Sequence, residues 1–193
     1  MNYKNEFGTV ELIMNSKFIT KGVDSFSLAL IKAEKQIRKL FTFLIFQNPV
    51  YCSKDCHKLR NILAENKNVY FEDFIKGINL ILTKSLHELY GVNYKKDLAE
   101  INKCIKIRNK IFHGQLTYKS LSRDELIEKT NNIRKWCKQL ASMLNEEIDY
   151  DGFGRNSFQK SKNKLTLKNF DKFDTIEKYK QFIKDNLNRK IKK

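Results

Sequence analysis

The sequence predicts an all-α fold: a bundle of four to five helices with a basic C-terminal extension. Three observations carry this. Apolar residues recur at three- and four-residue spacing over long stretches, the period of a buried helical face. One Pro and seven Gly are too few for the tight turns of a sandwich or barrel. Hydrophobic residues make up 41% of the chain and aromatics 12%, enough for a core and too much for a chain disordered throughout.

The elements follow in order. Residues 1–23 mix short apolar pieces (Val10, Leu12, Ile13, then Phe18, Ile19) with polar breaks, and an N-terminal arm with a short strand or extended piece is expected. Asp24 or Ser25 offers a side-chain oxygen to the free amides of a first turn. A long helix follows, with Leu30, Ala33, Glu34, Ile37, Leu40, Phe41, Leu44 and Ile45 on a mostly apolar stripe, and Asn48-Pro49 ends it. A second helix is expected over about 54–66 and a third over about 71–90, closed by Gly91. A fourth runs from about Lys95 to Phe112, closed by His113-Gly114. A fifth starts at Ser122, with Glu125 three residues on in the pattern of a capping box; Leu126, Ile133, Trp136, Cys137, Leu140 and Leu144 form its inner face. Residues 24–147 are therefore the bundle. Residues 148–193 are a basic loop and a C-terminal amphipathic helix with Ile176, Tyr179, Ile183 and Leu187 on one side.

Charge restricts the partners. The chain holds 38 Lys+Arg against 22 Asp+Glu, a net charge of +16, so a polyanion partner is implied: RNA, DNA or an acidic membrane. Half of that surplus lies in residues 151–193, which hold 13 basic and 5 acidic side chains. Mean hydropathy is −0.57, and no apolar run reaches bilayer-spanning length. The first residues lack a secretory apolar core, so a cytoplasmic location is expected and the four cysteines are read as free thiols.

No metal or cofactor is expected. Cys52, Cys56 and His57 lack the second ligand pair of a structural zinc site. There is no Gly-rich phosphate loop, H-E-x-x-H or G-x-S-x-G pattern. His57 and His87 have no recognisable partner set, and Trp136 is expected in the core.

The string Ile107-Arg108-Asn109-Lys110-Ile111-Phe112-His113-Gly114 is the most informative. Asn109 and His113 are one turn apart on one helical face. Arg108 and His113 lie about 140° apart around the helix, so within one chain they flank a site rather than touch. Two such helices crossing about a two-fold axis would bring each Arg towards the other's His. An Arg that binds phosphate and a His that titrates near neutral pH suit RNA cleavage, in which the 2′-OH is an internal nucleophile. DNA lacks that hydroxyl. The same residues also fit an ordinary helix end: Arg favours the negative end of the dipole, and His-Gly closes the last turn.

RNKIFHG at 108–114, near the end of a late helix in an α-bundle, resembles the R-x4–6-H signature of the HEPN superfamily (higher eukaryotes and prokaryotes nucleotide-binding domains). The resemblance covers residues 24–147 and excludes the N-terminal arm and the basic tail. It implies a metal-independent endoribonuclease that dimerises to form a composite active site, of the kind found in toxin–antitoxin and anti-phage systems. Arg108 and His113 would be catalytic and Asn109 the polar residue that positions them. Members paired with a nucleotidyltransferase antitoxin often carry Tyr two residues after the His. Here that residue is Gln115, which argues against control by tyrosine AMPylation at that spot. Other members bind RNA or nucleotides without cutting, and a non-catalytic module of a larger defence complex is the alternative.

Lys110 within the bundle and Arg155, Lys160, Lys162, Lys164 and Lys168 beyond it are the candidates for phosphate contact. Tyr150, Phe153 and Phe158 are expected to pin their loop to the bundle, since exposed Phe is costly; stacking on single-stranded RNA is the other role open to them. The final helix is free to dock on a second protomer, an antitoxin or an acidic surface.

Overall fold

The computed structural model describes residues 3–66, 68–115, 121–154 and 156–187. Among these residues it contains eight α-helices and no strand. They are α1 (Tyr3–Met14), α2 (Lys21–Phe46), α3 (Cys56–Glu65), α4 (Phe71–Ile81), α5 (Leu86–Tyr90), α6 (Tyr94–Phe112), α7 (Arg123–Ile148) and α8 (Ile176–Asn186). No described helix is long and apolar enough to cross a membrane.

The organising element is α2. Its last seven residues, Leu40 to Phe46, are all buried, so other elements enclose them. α7 and α4 pack along it, and α1 lies against both α2 and α7. Trp136 and Cys137 of α7 are in the core, as the periodicity predicts. The capping box at Ser122 is present: its hydroxyl accepts from the Glu125 amide at 3.2 Å, and the Glu125 carboxylate accepts from the Ser122 amide at 2.7 Å.

Two elements differ from expectation. Where an arm or strand was expected over 1–23, Tyr3–Met14 is a helix. Tyr3, Phe7 and Val10, spaced four and three apart, are buried and make the face that docks it, whereas Leu12 points to solvent. The Tyr3 hydroxyl donates to the Arg134 carbonyl at 2.9 Å, and the Phe7 ring meets Phe153 edge-on at 5.8 Å.

The expected third helix is split in two, so residues 24–147 carry six helices, α2 to α7. The break falls at Leu82, whose backbone is extended and pairs with Leu167 of the C-terminal segment. The helix then restarts on Ser85, which with Glu88 forms a second capping box. The 167–169 segment takes over the loose end of α4: the Lys168 amide donates to the Ile81 carbonyl at 2.9 Å, and the Asn169 amide group to the Leu80 carbonyl at 2.6 Å.

The basic extension is fastened to the bundle. Its irregular backbone cannot satisfy its own carbonyls. Side chains of the bundle satisfy them instead. Gln47 donates to Gln159 at 3.0 Å, Asn48 to Phe170 at 2.9 Å, the Tyr51 hydroxyl to Phe173 at 2.6 Å, and buried Gln36 to Asp151 at 3.0 Å. Gly152, at φ 80°, lies so close to α2 that an added Cβ would meet Gln36 Cγ at 2.7 Å. Tyr150 stacks on Phe43 with ring centroids 4.3 Å apart, and Tyr150 and Phe153 are both buried, so they pin the loop. The α8 face of Tyr179, Phe182, Ile183 and Leu187 is buried within this chain, α8 packing on α3 and α4. That face is therefore not available to a second protein or a membrane.

Candidate active site

The long C-terminal half of α6 brings the R-x4-H string alongside α2. Arg108 faces Glu34 across the seam. Its Nη2 donates to Glu34 Oε1 at 2.8 Å and its Nη1 to Oε2 at 3.1 Å, a bidentate pair. The third bond runs from Arg108 Nε to Asn109 Oδ1 at 3.0 Å. The Phe112 ring lies 5.7 Å from the guanidinium carbon. The Arg108 side chain is 12% exposed and that of Glu34 29%, so this pair is half withdrawn from water and screened less than a surface pair. Among the described residues three of its five N–H groups are occupied.

Asn109 therefore holds Arg108, by this geometry, and touches His113 only through the backbone, where the His113 amide donates to the Asn109 carbonyl at 3.1 Å. His113 is the C-cap of α6 and is exposed. The Gln115 amide donates to the Lys110 carbonyl at 2.9 Å and the Gly114 amide to the Ile111 carbonyl at 3.1 Å, with Gly114 at φ 61°; together they form a Schellman cap. The helix-end reading of His-Gly is thus realised. It also leaves the imidazole at the surface, just beyond the last turn, where another molecule can reach it.

Arg108 and Asn109 line a cleft of about 340 Å³ with Glu34, Arg38, Tyr70 and Lys106 among its other walls. His113 is not one of its walls. Within one chain the string supplies an anchored guanidinium on the cleft and an imidazole outside it. Within one chain Arg108 and His113 therefore do not line one cleft.

The lysine candidates fall elsewhere. Lys110 is exposed on the last turn of α6. Arg155 lies outside the described residues. Lys160 donates to the Asn48 carbonyl at 2.7 Å and to the Phe46 carbonyl, and lies 4.7 Å from the Phe46 ring centroid. Burial draws its ammonium pKa down. It closes the C-terminal end of α2, with its charge facing the loose carbonyls there. Lys162 and Lys168 are exposed; Lys164 lines a shallow recess that also holds Glu146 and Glu147.

Among the described residues no group of three His, Cys, Asp or Glu side chains is placed to hold a metal. Asp55 accepts from the Cys52 amide at 2.9 Å, and His57 Nδ1 lies 3.2 Å from Asn61 Nδ2. Cys104 and Cys137 are buried, and burial pushes the Cys104 thiol up to about 12.

Sequence reasoning missed three residues of this face. Glu34 was visible as the lone acid in an apolar stripe. Arg38 follows it by one turn, on the same side of α2. Arg60, on α3, carried no sequence signal. Both arginines belong to a second cleft that adjoins the first. Comparison with protein-family models, with curated proteins and with solved structures finds no match for this chain.

Proposed function

We propose that this chain is a metal-independent endoribonuclease of HEPN type, acting in the cytoplasm as a toxin or anti-phage effector, with an active site completed by a second copy of itself. The observation that carries the reading is the state of Arg108: a guanidinium fixed by Glu34 and Asn109 on a cleft wall, with His113 exposed at the end of the same helix. An immobilised Arg suits transition-state charge better than a free one, because little reorganisation is needed when charge develops.

In the reaction, a neutral His113 takes the proton of the RNA 2′-OH. The 2′-oxygen bonds to the adjacent phosphorus, and the bond from phosphorus to the 5′-oxygen breaks. The leaving 5′-oxygen takes a proton from His113 of the second copy in its imidazolium form. The products are a 2′,3′-cyclic phosphate and a 5′-OH. Arg108 directs its remaining donors to the phosphoryl oxygens, and Asn109 keeps it in plane.

The test is cleavage of total tRNA and of a mixed single-stranded RNA in EDTA, with product ends mapped. Arg108→Ala and His113→Ala are each expected to lower the rate by about 10²- to 10³-fold. Cleavage that requires Mg²⁺, or that His113→Ala leaves intact, rejects this function. A second reading, a non-catalytic RNA-binding module of a larger defence complex with an antitoxin or other partner, is favoured by one observation: the Glu34 carboxylate neutralises Arg108 within the chain. It predicts salt-dependent binding of RNA that stays intact.

A further inference from the structure

The Arg108 cleft does not end at Arg38. Arg38, Val69 and Phe74 are walls both of that cleft and of a second one, of about 450 Å³, between α2, α3 and residues 156–158. Among the described residues the second cleft has three cationic side chains on its walls, Arg38, Lys39 and Arg60, and no carboxylate. Lys39 is occupied, since its ammonium donates to the Phe153 carbonyl at 2.7 Å. Arg38 and Arg60 are exposed, and neither is in an ion pair among the described residues. The acid nearest to Arg38 along α2 is Glu34, whose oxygens are both bonded to Arg108.

Each free guanidinium lies against an aromatic ring. The Arg38 Cζ is 5.6 Å from the Phe74 centroid, and the Arg60 Cζ is 5.3 Å from that of Phe158. A guanidinium resting on a ring keeps its N–H edges outward and loses little freedom when it meets a phosphate. Leu63 and Val69 give the cleft an apolar wall, and Ser157 and Asn156 give it a polar rim. The volume is in the range of pockets for small organic ligands, too small for a duplex. Two stacked cations, an apolar wall and no acid describe a seat for phosphate, sugar and base of an unpaired strand.

We propose that this second cleft binds single-stranded RNA next to the phosphate held at Arg108, so that Arg38 and Arg60 set both affinity and a preference for unpaired substrate. As a substrate path this rests on the ribonuclease reading; as a binding site it does not. A free nucleotide carries the same phosphate, sugar and base, and the test separates it from a strand.

The measurement is fluorescence anisotropy of a labelled 12-nucleotide single-stranded RNA in EDTA over a salt series. The full chain carries His113→Ala so that the RNA stays intact. Arg38→Ala with Arg60→Ala is expected to weaken binding at least tenfold. The slope of log affinity against log salt should flatten by about 1.4, from two lost phosphate contacts on a single strand. Lys180→Ala, an exposed lysine on α8, should change affinity less than twofold. A duplex of the same sequence should bind more weakly and be insensitive to the arginine pair. Unchanged binding by the double variant overturns the proposal. So does displacement of the 12-mer by mononucleotide at equal concentration, which would make the cleft a nucleotide pocket. If the arginine pair controls binding while the native chain fails to cut, the strand site stands and the nuclease falls. If the native chain cuts and the double variant binds undiminished, the reverse holds.

Discussion

Two regions of this molecule are basic, and they use their charge differently. The C-terminal segment, residues 151–193, carries half of the net charge. Two of its lysines are engaged within the chain: Lys160 faces the carbonyl end of α2 and Lys178 lies 2.8 Å from Asp174, whereas Lys162, Lys168 and Lys180 are exposed. The seam of α2, α3 and α6 has fewer cations, but Arg38 and Arg60 rest on rings with no acid paired to them, and Arg108 is fixed with donors to spare. Charge count along a sequence therefore does not by itself say which cations are free to meet an anion. Availability depends on what each cation already touches, and an ammonium beside carbonyls or a carboxylate contributes to folding before it contributes to binding.

The largest test of that contrast is at Glu34. Glu34→Gln keeps the size and one acceptor but removes the charge that neutralises Arg108. If Glu34 holds Arg108 in its working position, kcat should fall about tenfold while KM also falls, since the seam gains one uncompensated cation. A residue of merely structural effect would lower activity with loss of folded protein and no such split. An increase in kcat would mean that the carboxylate holds the site off, and it would move Glu34 from positioning to inhibition. Steady-state cleavage of a short labelled RNA, with a thermal midpoint for each protein, decides between them.

The next effect is smaller and lies on the other side of the comparison. Lys160→Met keeps the stem over Phe46 and deletes the ammonium that serves two carbonyls. Stability should drop by about 1 kcal/mol, or roughly 2–4 °C in thermal midpoint for a chain of this size. RNA affinity should stay within twofold. Arg60→Ala should do the opposite, weakening RNA binding with the midpoint unchanged. A Lys160 variant that loses RNA and keeps its midpoint would return the lysine-rich segment to the binding face and dissolve the contrast.

Much of the fold is legible in the sequence where local rules and burial agree. The long stripe of α2, the Ser122–Glu125 box and the His-Gly end of α6 are each written in spacing and in one residue type with one job. Two misses had readable causes. Tyr3, Phe7 and Val10 repeat at helical spacing, but Leu12, Ile13, Phe18 and Ile19 crowd the same stretch and mask the period. Ser85 and Glu88 spell a second capping box inside an apolar run, and the run outweighs it by eye. The clamp of the C-terminal segment was not legible, because its bonds join groups more than 80 positions apart, as from Gln36 to Asp151. The site divides in the same way. Arg108 and His113 follow from a local string. The partnership of Arg108 with Glu34, and the meeting of Arg38 with Arg60, exist only once α2 is placed against α6 and α3.

The smallest expected effect concerns why the lysines of α2 do not join its arginines. Glu6 of α1 lies 2.7 Å from Lys35 and 3.5 Å from Lys32. Burial raises its carboxyl pKa, but the Lys35 hydrogen bond and the nearby Lys32 charge outweigh it, so the net position is below the ordinary carboxylate value. A carboxyl held lower in the folded chain than in the unfolded one adds stability above its ordinary pKa, and that contribution disappears as pH falls through the folded value. Glu6→Gln should therefore cost about 0.5 kcal/mol at pH 7 and nothing once pH is well below the carboxylate range. Midpoints of the two proteins measured from pH 7 down to pH 3 should converge. If Lys32 and Lys35 are engaged with α1 as the distances indicate, freeing them should leave single-strand affinity within twofold, because their face of α2 is turned to α1 and not to the arginine clefts. A gain of severalfold would show that the binding face runs around α2 further than Arg38, and that Glu6, like Glu34, sets how much of the charge on that helix reaches the RNA.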